Sequence, residues 1–172
     1  MTPPRILVAG VGNIFLGDDA FGVEVVRRLA ERTLPEGVRV VDFGIRGFDL
    51  TYALLDGYEA AILVDATQRG GPPGTLYVIE PEPDEPGATD VGDLMIETHG
   101  MNPAKVLRLV AALGGQVKRI LLVGCEPEAL GSEEEMAMGL SPPVQAAVDE
   151  AVRLVESLCV QLLDKGREHE AA

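Results

Sequence analysis

Arg5-Ile-Leu-Val-Ala-Gly-Val-Gly-Asn-Ile-Phe-Leu-Gly-Asp-Asp-Ala-Phe-Gly22 is an apolar run that enters a glycine-rich turn and leaves through two adjacent carboxylates. A strand, a Gly-x-Gly turn and a helix in that order are the fingerprint of a loop whose backbone amides cradle a pyrophosphate. Gly10 and Gly12 fit the first two glycine positions, but Phe15 stands at the third and the next glycine is Gly17. Asp18 and Asp19 fall where the first helix begins, so two negative charges would face an incoming phosphate. Carboxylates at that point suit the positive end of the helix dipole and a cation beyond it. The stretch therefore reads better as a cation site than as a dinucleotide site. Asp42, which closes the next apolar run, stays as a candidate ribose contact for the second reading. Aspartate is also a good N-cap, so each member of the pair admits a purely structural role.

Outward from this stretch, Val-, Ile- and Leu-rich runs recur at Ile6 to Ala9, Val38 to Val41, Ala60 to Val64, Leu76 to Ile79 and Arg119 to Val123. Each is bounded by Gly, Pro or charged residues, as buried strands are. Helical periodicity fills the intervals. Ala20 to Arg32 places Phe21, Val25, Val26 and Leu29 on one face and Arg27, Arg28 and Glu31 on the other. Phe48 to Leu55, Ala104 to Leu113 and Val144 to Leu163 behave alike, the last entered through Ser141-Pro142-Pro143. Strands alternating with helices predict an α/β fold in three layers, a five-stranded, mostly parallel twisted sheet with helices on both faces. The Pro-, Gly- and acid-rich stretch Glu80 to Gly92 reads as a surface excursion. The expected organisation is one domain over residues 1–165 and a polar tail over 166–172, in keeping with a chain of 172 residues.

The formal net charge of −14 argues against nucleic acid, whose phosphates are bound through Lys and Arg clusters. It favours a basic protein or peptide partner instead. No apolar stretch approaches the length of a membrane span, and Met1-Thr-Pro-Pro4 leads into a strand without a signal-peptide core. A soluble cytoplasmic protein that does not bind membranes is the expectation. Cys125 and Cys159 are too few for a disulfide framework or a thiolate metal cluster.

Ligands of open parallel sheets gather beyond the carboxyl ends of the strands, so the strand exits are the places to inspect. Asp65 ends the apolar run Ala61-Ile-Leu-Val64 and would sit at the lip of the sheet, where a metal, an arginine or a loop hydrogen bond would satisfy it. His99 lies in the loop Glu97-Thr-His-Gly-Met-Asn-Pro103 just before a helix. A single loop histidine is commonly a surface residue, and it becomes a metal ligand when other ligands converge on it. Asp19, Asp65 and His99 together form an oxygen and nitrogen donor set suited to a borderline divalent ion with open positions. Cys125 follows a buried strand and reads as a small core residue rather than a nucleophile paired with His99. Arg46, between Gly44 and Gly47, reads as one half of a surface ion pair.

The run Gly10-Val-Gly-Asn-Ile-Phe-Leu-Gly-Asp-Asp-Ala-Phe-Gly22, followed by Val64-Asp65-Ala66, Thr98-His99, Gly124-Cys-Glu-Pro127 and Gly139-Leu-Ser-Pro142, resembles the hydrogenase maturation proteases. These are nickel-dependent endopeptidases that trim the C-terminal extension from the large subunit of nickel-iron hydrogenases. The resemblance extends from Ile6 to about Leu163. It implies that Asp19, Asp65 and His99 are the metal-binding and catalytic residues, with Asp18 left as the helix cap. It implies further that the nickel is supplied by the hydrogenase large-subunit precursor, the expected partner, and that the chain acts as a monomer. Two departures stand out: Asp19 where many members have Glu, and Ile45 where many have Thr after the second-strand glycine. The alternatives that the residues leave open are a nucleotide-binding or dinucleotide-binding module, and a non-catalytic protein that docks the precursor and senses nickel.

Overall fold

The computed structural model describes residues 5–80, 103–115, 117–130 and 138–171. Its elements follow the alternating order: β1 (Ile6–Val11), a 3-10 turn (Asp18–Ala20), α1 (Phe21–Ala30), β2 (Val38–Gly44), α2 (Gly47–Leu54), β3 (Ala60–Ala66), β4 (Leu76–Ile79), α3 (Pro103–Ala112), β5 (Arg119–Cys125) and α4 (Pro142–Ala171). The strands form one sheet in the order β2-β1-β3-β5-β4. Every neighbouring pair is parallel except β4 with β5.

All six residues of β1 are buried, as is β3 from Ala60 to Val64. Both faces of these strands are covered, so they carry continuous apolar runs rather than alternating ones. The two-residue period still decides which layer each side chain enters. Ile6 and Val8 pack with Val25, Val26 and Leu29 of α1 and with Val148, Val152 and Val155 of α4. Leu7 and Ala9 point the other way, into a core built with Leu50 and Leu54 of α2 and Val106 and Val110 of α3. Ion pairs from Arg28 to Asp149 and from Arg32 to Glu156 (2.7 Å) fasten α1 to α4 along their exposed margins.

Helix α4 differs from expectation at its far end. It continues beyond Leu163 to Ala171, so residues 166–171 are helical. Gly166 lets the helix pass beside Arg5. A Cβ there would lie 2.1 Å from Arg5 Nη2.

The chain builds outward from β1 to β2, then steps back across β1 to reach β3 and β5. The reversal falls between β1 and β3. In a doubly wound sheet this opens a crevice beyond the carboxyl ends of the two strands. The 3-10 turn and the start of α1 lie over that crevice, held there by glycines. A Cβ on Gly22 would fall 2.0 Å from the Val64 carbonyl oxygen and 2.5 Å from that of Val11, and one on Gly10 would meet Val26 Cγ2 at 2.4 Å. The close-packing glycine that the turn lacks at Phe15 is thus supplied from within the helix, at Gly22.

Candidate active site at the β1/β3 crevice

The β1–α1 turn is shaped by its own backbone. Gly12 has φ +139°, and a Cβ there would fall 1.8 Å from the carbonyl oxygen of Asp19. This is a conformation and a contact only glycine accepts. The Asn13 side chain accepts from the Phe15 amide at 2.9 Å, and the Asn13 amide donates to Asp19 Oδ2 at 2.8 Å. Asp19 is thereby aimed back across the turn with Oδ1 left without a hydrogen bond among the described residues.

Asp65, the penultimate residue of β3, pairs in register with Gly124 of β5 and is partly buried. Its Oδ1 accepts from the Ala66 amide at 2.9 Å. Burial raises its carboxyl well above the usual aspartate value, and the nearby negative charge of Asp19 raises it further. Burial raises Asp19 as well. Against these effects each carboxylate has a single backbone N–H. Two half-buried carboxylates, one raised by the charge of the other, are a costly arrangement that a bound divalent ion would relieve. His99 lies outside the described residues, and among the described residues no three His, Cys, Asp or Glu side chains converge as a metal-binding group.

Asp18 is not the helix cap that the sequence suggests. Neither the 3-10 turn nor α1 has a side-chain cap. The Asp18 carboxylate is buried and turned away from Asp19. Its Oδ2 accepts from the amides of Glu128 (2.8 Å) and Ala129 (3.0 Å) and from Ser141 Oγ (2.8 Å), while Oδ1 accepts from the Ser141 amide (2.7 Å). Burial alone would raise its pKa, but the hydrogen bonds from Ser141, Ala129 and Glu128 outweigh it and hold the group below the usual aspartate range. Adjacent residues thus have opposite electrostatic environments, one carboxylate with four donors and the other, among the described residues, with a single amide.

Glu126 is a buried acidic residue to which sequence reasoning assigned no role. Its Oε1 accepts from the amides of Arg69 (2.9 Å) and Gly71 (2.8 Å) and from the Tyr77 hydroxyl (3.0 Å). These bonds pin the loop that follows Asp65, and the Arg69 amide in particular keeps the Glu126 carboxyl below its ordinary value. The available signal was an acidic residue directly after a buried strand, beside a cysteine.

Of the remaining candidates, Asp42 is occupied locally, accepting from the Gly44 amide at 2.9 Å and facing Arg27 at 3.8 Å. Arg46 pairs with Asp49 at 3.3 Å and also donates to the carbonyls of Asp42 and Phe43, closing the β2–α2 turn. Cys125 is wholly buried, its thiol pushed up to about 12 by burial first and by Asp18 and Glu126 after that. A thiol in that state is no nucleophile at neutral pH. Iodoacetamide should therefore leave both Cys125 and the equally buried Cys159 unmodified in the native protein at pH 7. Intact mass before and after treatment checks this, and rapid labelling of Cys125 without unfolding would contradict it.

An α/β protein with a doubly wound sheet and a carboxylate pair at its switch point is the class that fold and site define. Comparison with known proteins narrows it: residues 23–158 match the family described as hydrogenase maturation protease, and the chain belongs to that family. It is 34% identical to the hydrogenase 2 maturation protease of Escherichia coli over 88% of both chains. It is also 34% identical to the hydrogenase expression/formation protein HoxM of Azotobacter vinelandii, over 90% of this chain and 72% of that one. The structure of the hydrogenase maturating endopeptidase HybD from E. coli superimposes with a TM-score of 0.70 at 30% identity, covering 91% of this chain and 93% of that one. No described helix is long and apolar enough to cross a membrane.

Proposed function

We propose that this chain is an endopeptidase that removes the C-terminal extension of a nickel-iron hydrogenase large-subunit precursor once nickel has been inserted, and that it does so in the cytoplasm as a monomer. The observation that carries the reading is the Asp19–Asp65 pair at the β1/β3 crevice, in which each carboxylate is raised by burial and bonded by one backbone amide. Asp19 and Asp65 would contribute oxygen ligands to the nickel that the precursor brings, and His99 a nitrogen ligand. His99 precedes the start of α3 by four residues in the chain. A divalent ion held there would supply polarisation of the scissile carbonyl or an activated water. Exposed Phe15, Ile45 and Leu130, from the connections after β1, β2 and β5, offer apolar contacts for the precursor around the crevice.

The test is to incubate the protein with nickel-loaded and nickel-free cognate precursor and to weigh the products by mass spectrometry. The expected result is loss of a C-terminal peptide from the loaded precursor alone. Cutting of both forms would remove nickel from recognition. A stable complex with no released peptide would instead make the chain a docking protein that senses nickel.

A further inference from the structure

We propose that Asp18 is a positioning residue for Asp19: it locks the turn that carries Asp19 to the connection between β5 and α4, and so fixes where the Asp19 carboxylate stands in the crevice. This rests on the role proposed above for Asp19. The lock is built from partners far away in the chain, at separations of 110 to 123 residues. It involves backbone as well as side chain. The Asp18 amide donates to the Ala129 carbonyl at 3.2 Å, and Gly17 forms a β-bridge with Leu130. The carboxylate collects three amides and a hydroxyl, all neutral donors, so its contacts reach both the start and the end of the connection between β5 and α4 at once.

Asp19 is held from the opposite side. Its amide donates to the Leu16 carbonyl at 3.1 Å, its Oδ2 takes the Asn13 amide, and its carbonyl rests on Gly12. Consecutive Cα atoms are about 3.8 Å apart and the peptide between them is planar, so a displaced Asp18 carries Asp19 with it. Asparagine fits the same space but has one acceptor oxygen and brings two N–H donors of its own, and it cannot serve four donors that point inward. Outer partners of this kind commonly change activity about 10- to 100-fold when lost.

Two readouts test the proposal on the full chain, hydrogen exchange at individual amides and the kinetics of precursor processing. In Asp18→Asn, the Asn13 amide should lose its protection while amides in the middle of β1 and β3 keep theirs. The maximal processing rate should fall by about 10- to 100-fold, with KM changing much less. Ser141→Ala removes only the hydroxyl donor and keeps the variant series readable should Asp18→Asn fail to fold; it should show the same two changes to a smaller degree. Wild-type protection at Asn13 in both variants would overturn the proposal. So would an equal loss of protection throughout β1 and β3, which is the mark of a residue that merely stabilises the fold. If the wild-type protein cuts no precursor, the proposed function fails, whereas the exchange at Asn13 still decides whether Asp18 positions Asp19.

Discussion

Asp65→Asn is expected to lower precursor processing by more than about a hundredfold, beyond what outer-shell substitutions usually cost, while making the metal-free protein more stable. Both halves follow from one geometry. Asparagine keeps the shape of the side chain and its bond from the Ala66 amide, but it lacks the anionic oxygen that would meet a cation. The same anionic charge is a liability to the fold when no cation is present, because it is half-buried against Asp19. A gain on the order of 1 kcal/mol at pH 7 is the usual size for relief of a functional strain of this type.

The pH dependence of that gain has a definite sign. Asp65 titrates in the folded state well above the ordinary value of 3.8, so between those two points the folded chain holds a proton that the unfolded chain has released. Stability therefore falls as pH rises through that window, and it levels off once the folded-state group ionises. The variant lacks this slope. Its advantage should be absent below about pH 3.8, grow through the window and stay constant above it. Asp18 contributes in the opposite sense: its carboxyl is held low, so its stabilisation is present at neutral pH and disappears as acid protonates the folded state. Urea denaturation of metal-free wild type and variant across this range measures the difference. A variant that is less stable at pH 7 and cuts at the wild-type rate would remove Asp65 from the site.

Gly22→Ala should cost about 3 kcal/mol or more, the upper part of the range for overpacked cores. At an ordinary helical position the same change stabilises by about 1 kcal/mol, so even the sign is informative. The added methyl would have to occupy a point 2.0 Å from one strand carbonyl and 2.5 Å from another, both of them backbone atoms in the centre of the sheet. Neither can swing aside as a flexible side chain would, so α1 must lift from β1 and β3. Melting should drop by roughly 10 °C for a chain of this size. Because the 3-10 turn with Asp19 leads directly into α1, processing should fall as well. Thermal unfolding followed by circular dichroism checks the stability, and a variant that melts at or above the wild-type temperature would show that the helix does not rest on the strands at Gly22.

The strands were legible in the sequence to within a few residues at their ends. Ala60 to Val64 is an example: five apolar residues closed by Asp65 define a buried strand and a candidate site residue at its exit together, because both depend only on neighbours in the chain. Asp18 was not legible in the same way. A cap is satisfied by the amides two or three residues on and leaves a local pattern, and that pattern is present here without the bond. Its actual donors, at Glu128, Ala129 and Ser141, leave no trace near residue 18. Glu126 was missed for the same reason, since its partners lie on the loop between β3 and β4 and on β4 itself.

What the sequence determined by itself was the set of layers. The spacing of apolar side chains decides which segments are strands or helices and which faces they bury, and that spacing is a property of consecutive residues. Only the tertiary structure decided how the acidic pair divides its work. Sheet order brings the exits of β1 and β3 side by side, so the charge of Asp19 bears on Asp65, while Asp18 turns the other way into donors from the far end of the chain. Two aspartates that are identical in the sequence differ because burial and hydrogen-bond partners are set by what packs against them, and those neighbours come from distant parts of the chain: β3 for Asp19, the connection after β5 for Asp18.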